Sequence, residues 1–269
     1  MERNILRNVS IIIFIALMGA CISLPSHATP FGETLALFGR VMLVSRNGGN
    51  MSYSLFDGDM TISGGSNIAG GGAINEGALG MVVSAPPARL SPLENCYWFF
   101  TPSWYFNPQG YYFQYFFSIR GDDFYERVPL YNNFRFSAPG AQYAFLSYLR
   151  INGNDDAELV RENHTIISAS NFINEEVEFI YVDRDVTITA SGKTTLPPLT
   201  VLPDYSYNVN LRVTTSSINL ELKKGWNAIC TRTSVNISGQ SLVEMTIEIT
   251  DVDPGHIRWL LIPQGRHGF

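Results

Sequence analysis

Two stretches, Ile218-Asn219-Leu220-Glu221-Leu222 and Val243-Glu244-Met245-Thr246-Ile247-Glu248-Ile249, decide the fold class. In both, apolar side chains alternate strictly with polar or charged ones, the period of an extended strand with one buried and one wet face. Upstream, Tyr205, Tyr207, Val209, Leu211 and Val213 alternate in the same way with Ser206, Asn208, Asn210 and Arg212. With Val177–Val182, Val186–Ala190 and Ile257–Ile262 added, about six or seven strands fall at the spacing of a sandwich. The expectation is an all-β chain, an antiparallel β-sandwich built as two packed β domains with little helix. The first domain spans residues 36–170 and the second 171–269.

Working towards the N-terminus, the pattern loosens. Residues 152–158, NGNDDAE, read as a polar loop whose spacing misses the calcium-loop pattern. Ser137–Ile151 is open between helix and strand: Ser137 is a capping residue and Pro139 suits a first turn, while Gly140 and the aromatics oppose a helix. Eight glycines lie between Gly58 and Gly80 with neither a following helix nor a GK[ST] lysine, so they read as flexible or irregular connections rather than a phosphate cradle. Phe38–Val44 and Met51–Phe56 read as the first two strands, joined by the turn Asn47–Gly49.

Between these lies the densest aromatic block, Tyr97 to Phe117, YWFFTPSWYFNPQGYYFQYFF, which holds thirteen of the chain's aromatic residues. Asn107-Pro108-Gln109-Gly110 has the residues of a tight turn. Pairing Asn107 with Gly110 makes residues 97–119 a hairpin with one continuous apolar face. In that register Tyr105 and Tyr112 lie on the opposite face, and these two together with Trp104 are the candidate platform for stacking on a sugar; at this density, rings more often form core.

The N-terminal residues form an export signal, with Arg3 and Arg7 ahead of the apolar run Ile11–Leu17, too short for a transmembrane helix. Leu17-Met18-Gly19-Ala20-Cys21 resembles the lipobox of bacterial lipoproteins, although Met18 stands where leucine is usual. The resemblance implies cleavage after residue 20, lipid on Cys21, and residues 21–35 as a proline-bearing tether. The competing cut follows Ala28, after the small-x-small triplet Ser26-His27-Ala28, and would give a secreted or periplasmic protein. A second resemblance rests on Tyr181-Val182-Asp183-Arg184-Asp185-Val186-Thr187-Ile188-Thr189, Leu222-Lys223-Lys224-Gly225-Trp226-Asn227 and Ile257-Arg258-Trp259. These segments are similar to a cassette of uncharacterised bacterial envelope lipoproteins. That family implies an envelope location, at the outer membrane or cell surface, and lends no chemistry. From the residues themselves, Gly225 reads as a turn or bulge and Trp226 as a core plug.

Exported cysteines meet an oxidising compartment, so Cys96 and Cys230 are either a disulfide closing a long loop or two buried thiols. Without residues 1–20 the chain carries 16 basic and 23 acidic side chains, a balance that argues against a phosphate-backbone partner. No GxSxG, HExxH or paired CxxC motif occurs. Asp251, Asp253 and His256 in DVDPGH offer metal-ligating types, but Asp-Pro-Gly is first a turn. Arg120-Gly121-Asp122 spells an attachment tripeptide at an expected loop. The expectation is therefore a chain with no catalytic residues, metal or cofactor, held at a membrane by lipid. Its role is binding a protein or glycan or supporting the envelope, with glycan processing as the alternative.

Overall fold

Strands that alternate along one face need a partner layer, whereas strands that are apolar at every position need two. The chain has both kinds, and their difference organises the fold. The computed structural model describes residues 27–31, 34–47, 50–63, 70–83, 87–98, 106–107, 112–113, 118–121, 124–127, 131–146, 149–151, 154–168, 170–192, 210–238 and 242–263.

The N-terminal strands are β1 (His27–Phe31), β2 (Thr34–Asn47), β3 (Asn50–Leu55), β4 (Met60–Ser63), β5 (Gly70–Asn75), β6 (Ala78–Val83) and β7 (Ser91–Pro92). After the 3-10 helix Leu93–Trp98 come the short strands β8 (Phe106–Asn107), β9 (Tyr112–Phe113), β10 (Ser118–Gly121) and β11 (Phe124–Arg127). Then follow β12 (Tyr131–Phe136), β13 (Gln142–Leu146), β14 (Leu149–Ile151), β15 (Asn154–Ser168), β16 (Asn171–Val182) and β17 (Val186–Gly192). The chain closes with β18 (Asn210–Thr215), β19 (Ile218–Leu222), β20 (Gly225–Ser238), β21 (Leu242–Thr250) and β22 (Arg258–Pro263). No α-helix occurs among the described residues, and the protein is an all-β sandwich.

The large sheet runs β1-β2-β6-β5-β4-β14-β15-β16-β20-β21-β18, with β13 added to β16, β7 to β13 and β3 to β2. β22 pairs with both β15 and β2, bringing the last strand against the first ones. A second sheet, β12-β17-β19, lies over part of it.

β16 and β20, paired over Asn171–Val182 and Gly225–Asn236, form the wall between two cores. Ile180, Val182 and Ile229 point into the first core, against Val186, Ile188 and Leu220 of the small sheet. Val177, Phe179, Tyr181, Trp226 and Cys230 point into the second, with Leu37, Leu79, Leu159 and Trp259. β21 needs only one partner layer, and Met245, Ile247 and Ile249 are buried while Thr246 and Glu248 are exposed. Ile218, Leu220 and Leu222 are likewise buried and Asn219 and Glu221 exposed. The wet-face pattern of these two strands is thus realised residue by residue.

Several expectations are corrected. Two pairings are parallel, β18 with β21 and β2 with β22, because neither pair is joined by a hairpin that would force opposite directions. Ser137–Ile151 resolves to strands β13 and β14, and the loop expected at 152–158 is mostly the start of β15. The proposed division at residue 170 falls in the turn between β15 and β16, which pair with each other, so one sheet runs through it. Half of the expected tether is strand: His27–Phe31 pairs with Thr34–Phe38. The glycine-rich stretch contains the regular hairpin β5–β6. Its two-residue turn has positive φ at Glu76 (48°) and Gly77 (74°), the geometry that matches strand twist. A side chain at 77 would also strike the carbonyl of Phe56.

The aromatic hairpin is shifted: Asn107 pairs with Tyr112 and Phe106 with Phe113, rather than Asn107 with Gly110. Residues 108–111, with the expected turn, lie outside the described residues. Tyr97 and Trp98 end the 3-10 helix instead of starting a strand, and Arg120 and Gly121 belong to β10, not to a loop. Residues 201–209, including Tyr205, Tyr207 and Val209, lie outside the described residues.

A shared wall couples the two cores. Ile188→Ala in the first and Leu79→Ala in the second should each cost about 2–5 kcal/mol and lower one common unfolding transition in calorimetry. Two transitions, each responding to only one substitution, would contradict the coupling.

Candidate functional site

The wall ends in two tight turns, one within residues 181–189 and one within 222–227, which meet there. Val182 pairs with Gly225 and Val186 with Leu222. Asp185 accepts the Lys224 amide (2.8 Å) and the Lys223 ammonium (3.3 Å), and Asn227 closes the second turn by accepting the Lys223 amide at 2.8 Å. Gly225 has φ 105°, a value only glycine adopts readily, and Trp226, 2 % exposed, stacks edge-on against Tyr181 at 5.6 Å. Trp259 stacks on Phe179. The turn and core-plug readings of Gly225 and Trp226 are what the structure shows.

Asp251, Asp253 and His256 do not converge. The DVDPGH loop sends each to a different strand: Asp251 accepts the Glu221 amide of β19 at 2.6 Å, Asp253 takes Arg161 of β15, and His256 Nε2 lies 2.9 Å from Glu175 Oε2 of β16. The loop is a turn, with the Asp253 carboxylate also accepting the Gly255 amide. Arg161 is its anchor. Its side chain is wholly buried, donates two hydrogen bonds to Asp253 at 2.6 and 2.7 Å, a third to the Ile257 carbonyl, and lies 5.9 Å from the Trp259 ring centroid. Beside it is a void with room for about one water molecule, lined by Leu146, Leu149, Val177 and Phe179. Glu175 feels burial that opposes its charge, yet hydrogen bonds from His256 and Asn163 hold its carboxyl below the usual range.

The other polar feature is a row of carboxyls on the face of β15 and β16 that continues the first core. Glu162 pairs directly with Glu176, and Glu178 follows two residues on. Both β16 glutamates keep some solvent exposure, but they are closely surrounded. Burial, then repulsion from Glu162, pushes Glu178 up to about 8. Burial, Glu178 and Glu162 push Glu176 well above its ordinary value. Next to them Thr233, opposite Asn174, is fully buried with its hydroxyl unpartnered. Among the described residues no three His, Cys, Asp or Glu side chains stand close enough to hold a metal ion.

Of the residues named from sequence, Cys21, Trp104 and Tyr105 lie outside the described residues, and for Tyr112 and Cys96 only the backbone is placed, in β9 and the 3-10 helix. Cys230 is a buried free thiol, pushed up to about 12 chiefly by burial. Arg161 and the glutamate row were not named from sequence. Their one signal is alternation: Glu176 and Glu178 interleave with Val177 and Phe179 and so read as an ordinary wet face. No protein-family model matches the chain, and no curated protein or solved structure matches it either.

Removing Asp253 strands a buried guanidinium. Asp253→Ala should therefore cost about 3–5 kcal/mol in urea unfolding, most of it recovered when Arg161→Met is added; a cost within about 1 kcal/mol would show the pair to be idle. For Glu178, the folded protein holds a proton between the ordinary carboxyl range and about 8 that the unfolded chain has already lost. Stability therefore falls as pH rises through that window. Glu178→Gln should raise the melting temperature at about pH 9 and leave it unchanged at about pH 4; an equal effect at both would refute the buried-carboxyl account.

Proposed function

We propose that this is an exported, lipid-anchored protein of the bacterial envelope that binds a partner or supports the envelope rather than catalysing a reaction. The observation that carries the anchor is β1. A cut after Ala28 would delete His27 and Ala28 from the ladder, where they pair with Phe38 and Leu37; a cut before Cys21 leaves the strand whole. The two cuts suggested by the sequence therefore differ in what they do to the fold, and the lipobox cut is the one that spares it.

The non-enzymatic half of the reading is supported by how the polar side chains are used. Asp251, Asp253 and His256, the residues closest to a site pattern, brace three strands instead of facing one space. Asp183 and Asp185 hold turns, accepting the Gln142 and Lys224 amides. Such groups are committed to holding the sandwich, which suits a rigid body displayed at a surface.

In cells fed radioactive palmitate, the wild-type protein should be labelled and sediment with membranes, while Cys21→Ser should be unlabelled and soluble. Label absent from wild type would remove the anchor.

A further inference from the structure

The edge of β2 that carries β1 has a second occupant, and the two together fix where the N-terminal segment leaves the fold. Val41 donates its amide to Gly77 (2.9 Å) and accepts the amide of Phe56 (3.1 Å). Both groups of one strand residue point to the same edge, so β6 and the β3 hairpin share that edge of β2. β1, opposite β6, and β22, opposite β3, therefore share the other. β1 occupies it as far as Phe38, the partner of His27, and β22 takes over at Val41, the partner of Trp259. The Trp259 indole N–H reaches the Phe38 carbonyl at 3.1 Å, which places the start of β22 within one side chain of the β1 terminus. The start of β1 therefore lies beside the strand that the loop 251–257 feeds.

Only residues 22–26 separate β1 from Cys21. The six backbone steps from His27 to Cys21 reach at most about 20 Å, less than the width of a small domain. We infer that the lipid anchor holds the folded body directly against the bilayer, with the start of β1 and the loop 251–257 facing the headgroups. This rests on the anchor reading above and adds an orientation to it. The loop is suited to such a contact: Val252 is 61 % exposed at its tip, and its acidic groups are already held by Arg161 and the Glu221 amide. Arg258, exposed at the start of β22, offers positive charge to anionic headgroups. Ile167, also exposed, lies five residues beyond the Glu162–Arg258 pairing along β15, roughly 17 Å away at the rise of a strand.

The test uses the full chain, exported with its own leader, purified from membranes and placed in phosphatidylethanolamine–phosphatidylglycerol vesicles. Val252→Cys and Ile167→Cys, each with Cys96→Ser, carry a bimane label; the buried Cys230 thiol stays unmodified. At Val252 the expected result is several-fold weaker quenching by aqueous iodide than at Ile167, and quenching by headgroup nitroxide lipids that Ile167 lacks. Equal quenching at both sites overturns the orientation. The mass of the N-terminal peptide is read on the same sample. An acylated Cys21 with equal quenching sinks the orientation alone, whereas a peptide starting at Thr29 sinks the anchor reading and the orientation with it.

Discussion

Everything else in the structure depends on the run Val177–Val182 being buried on both faces. Five of its six residues alternate between two cores, with Glu178 carrying on the first-core face, and the difference in size between the sides fixes which core is which. The second core receives Phe179, Tyr181 and, from the partner strand, Trp226; the first receives Ile180, Val182 and Ile229. A slip of one residue would drive the large rings into the space built for branched aliphatics and leave the other core underfilled. The twelve-residue pairing of β16 with β20 resists that slip, and the two turns at its end clamp it through Asp185 and Asn227.

The wall also explains why the sheet is so mixed in its connections. The hairpins β15–β16 and β20–β21 supply only some of the wall's neighbours, and the rest of the large sheet is filled by strands from distant parts of the chain. β22 reaches back to β2, and β21 lies beside β18 although the chain between them crosses through Ser216 and Ser217 to the small sheet and returns. Such non-local pairings carry a loop-closure cost before they stabilise anything. Arg161 and Asp253 offset part of it beside β22, locking the loop before that strand onto β15 with a charge pair whose guanidinium is wholly buried.

Strands with one wet face were legible in the sequence because their pattern is complete within a few residues: Ile218–Leu222 and Met245–Ile249 are buried and exposed as their alternation demands. Trp226 and Gly225 were legible for a local reason too, a bulky apolar ring after a residue free to take positive φ. The wall was readable as a strand but not as a wall, since a second covering layer leaves no mark on the strand it covers. Glu176 and Glu178 show the consequence, because alternation marks them as wet and the fold crowds them beside Glu162. The tether was misjudged at His27–Phe31 for the opposite reason: Pro30 and small residues suggest a linker, but an edge strand tolerates proline, and Leu35 and Leu37 of β2 supply the burial that β1 itself does not advertise.

The DVDPGH loop shows why side-chain types within one short segment did not make a site. A turn fans its side chains outward, so Asp251, Asp253 and His256 leave it in three directions and each meets a different strand. Convergence on a ligand requires the reverse, side chains arriving from several elements at one point, as Arg161, Asp253 and Trp259 do. At that point, however, the charges are already paired and the remaining space holds about one water molecule. The best-assembled polar cluster among the described residues is therefore a joint between strands, and a joint placed beside the exit of the N-terminal segment stiffens the part of the sandwich that an anchor would pull on.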